Sequence, residues 1–264
     1  MYKFIDTNET QQSSRLPSEA LFINGRAIED MIEGYRTLTV SGRELMGQEL
    51  NATRRNTGDG SILLGASYPP RIITIKYELK TKDTADFRMK YEMLNRLLTG
   101  ENKQLRFNDD YDYSFTGTLE SVDKPPAGTN TVVSSFSFFC ADPFKYGDLE
   151  TIQGNNPSII YDDAFPIKPD YIKVHMTGST RDLILTTGKK KIKLLNYGLI
   201  AGEVVHFNFA EEDIRVIFQS GNSTGYLEGL SLDSDFEDFY MMSGAKVTTT
   251  APATIEIGYR RKAL

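Results

Sequence analysis

The sequence predicts a mainly β protein with two domains: an N-terminal β domain whose sheet carries one amphipathic helix, and a C-terminal β-sandwich. Three observations support this prediction. The chain has 264 residues, and a typical domain takes roughly 100–200. Short runs of alternating apolar and polar residues recur along it, separated by turn residues. Only residues 84–98 show a convincing helical spacing of apolar side chains.

The first strands are predicted from turn residues. Leu21, Phe22 and Ile23 lead into Asn24-Gly25, a pair typical of tight hairpin turns. Residues 37–40 predict another strand. Residues 56–61 (NTGDGS) hold glycines and short polar side chains, so they predict a mobile loop or a hairpin tip.

The clearest strand and the helix follow one another. Residues 71–80 place alternate side chains on opposite faces of a strand. One face is apolar and is predicted to be buried: Ile73, Ile75, Tyr77 and Leu79. The helix is predicted to begin after the N-cap Asp83 and to stop at Gly100. Its apolar stripe is more typical of a core than of a cofactor site, and it consists of Phe87, Tyr91, Leu94 and Leu98.

The remaining strands define the domain boundary. In the first half we predict strands at 104–107, at 113–119 with Tyr113, Phe115 and Leu119 on one face, and at 136–140, with a loop at 125–128. Residues 151–157 are polar and rich in turn formers, so the domains are taken as 1–145 and 146–264. Short strands with no helix between them predict the sandwich: 171–176, 183–186, 192–195, 204–209, 214–218, 237–241 and 254–259.

No pattern for catalysis or cofactor binding is found, so we predict no enzyme, no cofactor and no catalytic or metal-binding residue. His175 and His206 are a possible metal pair, but structural histidines fit better. Cys140 ends a phenylalanine-rich strand and is predicted to be buried. Acidic clusters occur at 109–112, 211–213 and 233–238. They would suit a glycosidase, and the first and third could ligate calcium, but solvated turns are the preferred interpretation.

Charge and composition limit the partners. The net charge of −6 disfavours nucleic-acid binding over the whole surface. The lysine-rich run 189–193 predicts an exposed edge strand, with an anionic partner as the alternative. The N-terminus shows no secretory signal, and no apolar stretch approaches the roughly 20 residues that a membrane helix needs, so a soluble product made in a cytoplasm is expected.

Beside these patterns, the sequence resembles a known family. The resemblance rests on ordered short motifs that span nearly the whole chain: 68–75 with 94–98, 105–110 with 113–119, 136–146, and more loosely 233–236, 242–245 and 253–260. On these residues the chain resembles the distal tail proteins of siphophages, the siphophage tail component family.

The resemblance implies a structural hub in the tail tip of a virion, assembled in the bacterial cytoplasm. Six copies would form a ring from the first domain, and a galectin-like sandwich would project outward. The implied partners are the tail tube protein, a tail-associated tip protein and, in some phages, a receptor-binding protein, with no sequence-specific nucleic acid and no membrane insertion. The hairpin loop near 56–61 would be an arm embracing the neighbouring copy.

Two other functions remain open at this point. The C-terminal sandwich would also suit a carbohydrate-binding module that contacts host cell-wall polymer. A glycan hydrolase using the acidic clusters is the third possibility.

Overall fold

The computed structural model describes residues 16–124, 129–162, 165–196 and 198–264, and the chain divides into two compact units between Lys145 and Tyr146. The predicted loop at 125–128 lies outside the described residues. The mainly β prediction is confirmed.

The described residues of the first unit form nine strands and two helices. In chain order they are β1 (Leu21–Ile23), β2 (Arg26–Ala27), α1 (Ile28–Met31), β3 (Tyr35–Ser41), β4 (Glu49–Arg54), β5 (Ser61–Ser67), β6 (Arg71–Lys80), α2 (Thr84–Leu98), β7 (Lys103–Phe107), β8 (Asp110–Val122) and β9 (Thr131–Cys140). Seven strands pair antiparallel in the order β3-β6-β9-β8-β7-β1-β2, whereas β4 and β5 pair with each other.

The local signals in this unit work as predicted. Asn24 and Gly25 both have positive φ, +49° and +84°, as the tight turn between β1 and β2 requires. The Asp83 carboxylate accepts a hydrogen bond from the Asp86 backbone N–H and caps α2. Leu94 and Leu98 of α2 are buried against the sheet, which confirms the predicted core stripe.

The alternation predicted for β8 is interrupted. Ser114 and Phe115 are adjacent in the chain and both are buried. The register shifts between Leu105 and Phe107 on one side of β8, and between Leu119 and Ser121 on the other. An extra residue in a ladder turns the following side chains to the opposite face, so these two irregularities explain the departure.

The second unit is a β-sandwich. Its strands are β10 (Lys145–Gly154), β11 (Tyr171–Met176), β12 (Leu183–Thr187), β13 (Lys190–Leu194), β14 (Val204–Asn208), β15 (Asp213–Ile217), β16 (Ser223–Gly225), β17 (Val247–Thr249) and β18 (Ala253–Ala263). One sheet contains β16-β15-β14-β11-β18 and the other β13-β12-β17. Their inner faces share a single apolar core, so the sandwich prediction is confirmed.

Two predictions for this unit are wrong. Residues 237–241 form no strand; only Met241 makes an isolated bridge, to Ile167. The apolar residues there instead anchor a loop, because the rings of Phe236 and Phe239 stack on Phe209 at 4.9 and 5.9 Å between centroids. Residues 151–157 were also expected to be a turn-rich segment, but β10 continues to Gly154. Its mostly polar side chains are only partly buried, so they show no apolar pattern.

Candidate assembly surfaces

The most exposed element of the first unit is the hairpin formed by β4 and β5, which we call the arm. The tip that was predicted at 56–61 is confirmed, and it joins two strands that the sequence did not indicate. All thirteen strand residues are exposed. They include large apolar side chains, among them Leu50 and Leu63 with 65% and 59% of their surface exposed. A two-stranded hairpin alone is marginally stable in water, so this exposure indicates a partner surface.

The register of the arm sorts its side chains onto two faces. Leu50 lies opposite Ala66, and Ala52 lies opposite Leu63, so these four residues share one apolar face. The register shifts between Asn51 and Ala52, which leaves Leu64 as an extra residue on β5. The other face carries mainly polar or small side chains: Glu49, Asn51, Thr53, Gly65 and Ser67, together with Ile62.

The chain leading into the arm is held by Arg43. Its guanidinium donates to both oxygens of Asp109 at 2.8 and 2.9 Å and to Glu19 at 3.2 Å. It also lies 4.2 Å from the ring centroid of Phe107, a cation–π distance. Burial, the largest single influence, would lower the pKa of Arg43, but the hydrogen bonds to Asp109 together with the negative charges of Asp109, Glu19 and Asp110 raise the pKa above its ordinary value. Arg43 therefore stays charged.

A second arginine fixes both ends of the arm. Arg71, at the start of β6, donates to the carbonyls of Gly42 at 2.8 Å, Glu44 at 3.2 Å and Pro143 at 3.0 Å. Burial lowers the pKa of Arg71. Because Gly42 and Glu44 precede the arm and Arg71 follows it, the two ends leave the sheet at a fixed point.

The outer edge of the sheet is protected against strand addition. Among the described residues, strand β3 pairs with β6 on one side and with no strand on the other. On the other side, the Thr37 backbone N–H donates to Glu29 at 2.8 Å, and the Val40 backbone N–H donates to Glu19 at 3.1 Å. Carboxylates that occupy these donors keep another strand from using them.

A shallow groove lies on the helical face of the same unit. It has a volume of about 310 Å³ and is lined by Met31, Ile32, Met93, Arg96 and Leu97 from α1, α2 and the residue after α1. The lining is mostly apolar, and methionine side chains adapt readily to different partners.

The acidic clusters make ion pairs, so the solvated-turn interpretation is incomplete. In the first cluster, Asp109 binds Arg43, and Asp110 binds Lys145 at 2.6 Å. In the second, Asp213 binds Arg215 at 2.5 Å. The first turn is therefore tied to distant parts of the chain, whereas the Asp213–Arg215 pair lies within β15 itself. No group of three or more metal-ligating side chains occurs among the described residues.

The third acidic cluster covers the lysine-rich run. Strand β13 is an edge strand, as predicted. Asp235 accepts from the Lys191 backbone N–H at 3.0 Å and from Lys190 at 3.1 Å, while Asp233 pairs with Lys193. Hydrogen bonds from Lys193 and from the Lys191 N–H lower the pKa values of Asp233 and Asp235 respectively. Lys190, Lys191 and Lys193 are paired with these two carboxylates within the unit, which argues against an anionic partner.

The histidines and the cysteine lie apart from the arm. His175 and His206 sit on the neighbouring strands β11 and β14, and the His175 Nε2 lies 3.4 Å from Glu256. Burial, reinforced by Lys173, lowers the pKa of His206. Cys140 is buried, as predicted, and burial raises the pKa of its thiol to about 11.

Comparison with known proteins defines the class. Residues 34–140 match the family described as the phage tail protein RIFT-related domain. The matched segment includes β3, the arm, α2 and the strands that follow, up to β9. The resemblance to siphophage distal tail proteins that the sequence predicts is thereby confirmed.

Individual relatives extend the similarity over the whole chain. The distal tail protein of Bacillus phage SPP1 is 22% identical over 234 residues, which cover 86% of this chain and 90% of that one. The crystal structure of SPP1 Dit, described as a paradigm of the hub adsorption apparatus of phages infecting Gram-positive bacteria, has a TM-score of 0.76 at 20% identity, covering 93% and 99%. A chain of the activated phage p2 baseplate has a TM-score of 0.52 at 11% identity, covering 91% and 94%. These structures share the fold.

No helix among the described residues is long and apolar enough to cross a membrane.

Proposed function

We propose that this protein is the structural hub of a phage tail tip or baseplate. Six copies form a closed ring that joins the distal end of the tail tube to the tip and adsorption proteins. Residues 1–145 form the ring, and the sandwich of residues 146–264 projects from it. The role is structural and needs no catalytic group.

The observation that carries this proposal is the arm. It exposes an apolar face that its own unit leaves uncovered, and Arg43 and Arg71 fix its base. A closed ring requires two different patches on each copy, because each copy presents one to the next and receives the other from the previous copy. A projecting arm is suited to supply one of them.

The capped edge of β3 supports the same function. Glu19 and Glu29 occupy its outer donors, so adding strands side by side is disfavoured there. Contacts between copies then pass through the arm. The other proposed partners are the tail tube protein, a tail-associated tip protein and a receptor-binding protein. The virion tail is the proposed location, reached after assembly in the bacterial cytoplasm. The similarity over nearly the full length to SPP1 Dit, a hub by its description, supports this assignment.

Native mass is the test. Light scattering of the full chain over a range of concentrations should approach the mass of six chains. Replacing residues 50–66 by a short glycine–serine linker should give monomers, because the apolar face is removed. A variant that shortens only the tip and keeps both strands of the arm is the control. A hexamer that persists without the arm would contradict the proposal, as would failure of the intact protein to bind purified tail tubes.

A polar cluster on the second unit favours a second candidate, binding of carbohydrate in the host cell wall. The Glu256 carboxylate accepts from Tyr171 at 3.0 Å and Lys173 at 3.1 Å, with His175 at 3.4 Å. Carboxylate, hydroxyl and aromatic groups on one sheet face suit sugar hydroxyls. Sedimentation with host cell walls that is lost in Glu256→Ala would support this function, and no sedimentation of the intact protein would reject it.

A further inference from the structure

The helical groove of the first unit is apolar except for one charged side chain. Met31 and Ile32 line one wall, and Met93, Leu97 and Arg96 line the other. Ile32 is buried, whereas Met93 is 40% exposed. A concave apolar surface that includes methionines is suited to receive another segment of chain, because these side chains adapt to what they contact.

The guanidinium of Arg96 has only a weak partner in the described part of the chain. It lies 3.6 Å from the Glu92 carboxylate, and the two side chains are 79% and 68% exposed. An exposed ion pair of this kind contributes little to stability. Arg96 is therefore able to exchange Glu92 for a carboxylate that enters the groove.

The N-terminus of the chain contains a short segment whose side chains complement this groove. Residues 1–6 (MYKFID) include four apolar side chains and one carboxylate, whereas residues 7–15 (TNETQQSSR) contain no apolar side chain. In an extended chain alternate side chains point the same way, so Tyr2, Phe4 and Asp6 would share one face. An apolar face with one carboxylate fits an apolar groove with one guanidinium.

The first described residues show that this segment can reach the groove. The Pro17 carbonyl accepts a hydrogen bond from the Asn108 side-chain amide at 3.1 Å, so the described chain starts beside the end of β7. Helix α2 ends at Leu98, four residues before β7 begins. The distance to the groove is therefore about the length of β7, roughly 17 Å, plus that connection. Residues 7–15 span up to about 30 Å when extended.

We propose that residues 2–6 bind in the α1–α2 groove of their own chain. Tyr2 and Phe4 pack against Met93, and Asp6 pairs with Arg96. The bound segment covers the groove and ties α1 to α2. Residues 1–15 lie outside the described residues and ahead of residue 34, where the match to the tail-protein family begins. The contact does not depend on the proposed ring, because both surfaces belong to one copy.

Cysteine cross-linking within one full-length chain tests the contact directly. A disulfide forms only when the two Cα atoms come within about 7 Å. Phe4→Cys is combined with Met93→Cys, and the control combines Phe4→Cys with Arg88→Cys. Arg88 is exposed on the same helix, but five positions from Met93 it faces about 140° away. Under mild oxidation we expect the first pair to close at least tenfold faster. The native Cys140 is buried and does not compete.

Oxidation of methionine gives a second measurement that needs no added thiol. The full chain is treated with hydrogen peroxide, and each methionine sulfoxide is followed by mass spectrometry. Replacing Tyr2, Phe4 and Ile5 together by serine should make Met93 oxidise at least fivefold faster, because the groove loses its cover. Met89 and Met242 are 56% and 55% exposed and do not line the groove, so their rates should stay unchanged.

The outcomes separate this contact from the hub function. Equal closure of the two cysteine pairs would overturn the proposal, and so would an unchanged rate of Met93 oxidation in the serine variant. A disulfide that joins two chains, seen as a covalent dimer, would overturn binding within one chain and indicate exchange of the segment between copies. The hub function is decided by native mass and by binding to tail tubes, which either result leaves open.

Discussion

Substituting Gly42 with alanine should loosen the base of the arm. Gly42 follows β3 with a φ of +90°, and a Cβ added there would lie 1.9 Å from the carbonyl oxygen of Ile72. No side-chain rotation relieves this contact, because both groups are attached to the backbone. The chain must therefore shift at the point where Arg71 binds the Gly42 carbonyl.

The loss of stability has two contributions, the left-handed φ of residue 42 and the weakened hydrogen bond from Arg71. A left-handed φ costs a residue with a Cβ about 1–2 kcal/mol. Losing or stretching the hydrogen bond between Arg71 and the Gly42 carbonyl costs about 1.5–3 kcal/mol, because the donor is charged. Gly42→Ala should therefore destabilise the local structure by about 2.5–5 kcal/mol.

Two other glycines divide the effect into its parts. Gly58 has a φ of +87° with no atom within 4 Å of an added Cβ, so Gly58→Ala tests the φ contribution alone, about 1–2 kcal/mol. Gly47 has neither a positive φ nor a close neighbour, so Gly47→Ala should be nearly neutral.

Amide hydrogen exchange, read by mass spectrometry on peptides from β3 and β6, suits a two-unit chain because it resolves local opening. Exchange in Gly42→Ala should accelerate about a hundredfold or more, since about 1.4 kcal/mol corresponds to a factor of ten. If β3 and β6 exchange in Gly42→Ala no faster than in Gly58→Ala, the contact with the Ile72 carbonyl does not matter, and the reasoning is wrong.

Three further predictions concern other contacts. Arg43→Leu should lower the opening free energy of β7 by about 3 kcal/mol, because it leaves the Asp109 carboxylate unpaired. Arg96→Leu removes an exposed ion pair and should lower it by at most about 0.5 kcal/mol. Equal effects of the two substitutions would contradict the assignment. Alkylation of Cys140 should be negligible at pH 8 until the protein unfolds, and prompt labelling of the folded protein would argue against burial. The free energy of unfolding should fall as the pH rises from 9 toward 11, because the folded state holds the thiol proton more tightly than the unfolded chain. Asp235→Ala should free the Lys191 backbone N–H on the edge of β13 and increase concentration-dependent aggregation measured by light scattering, an effect that Glu228→Ala should not share.

Elements that cover a core were predicted well from the sequence. Strand β6 and helix α2 bury one face against their own unit, so apolar residues recur at the period of each element. The arm strands were missed for the same reason. Both of their faces are exposed in the isolated chain, and the run Ile62-Leu63-Leu64 does not alternate. A strand that would pack on another molecule does not show the alternating apolar pattern of a strand that is buried within its own chain.

The contacts that hold the candidate surfaces were also missed. Arg43 and Asp109 are 66 positions apart, and Lys191 and Asp235 are 44 apart. The sequence showed these charges but not which of them would meet, because pairing at such distances depends on the strand order. The motif near 105–110 drew attention to Asp109 through the family resemblance, yet nothing local connected it to Arg43.

The attachment of Arg71 to Pro143 has a consequence for the timing of synthesis. The tip between β4 and β5 is short, and hairpins of this kind close within microseconds. The direction of the hairpin, however, requires β9 to pair with β6 and the Pro143 carbonyl to reach Arg71. At ordinary rates of translation the ribosome needs roughly 4–15 s to pass from Ser67 to Pro143. During that interval a nascent chain carries a hairpin without a fixed orientation, so the proposed ring could begin to close only after each first unit has been completed.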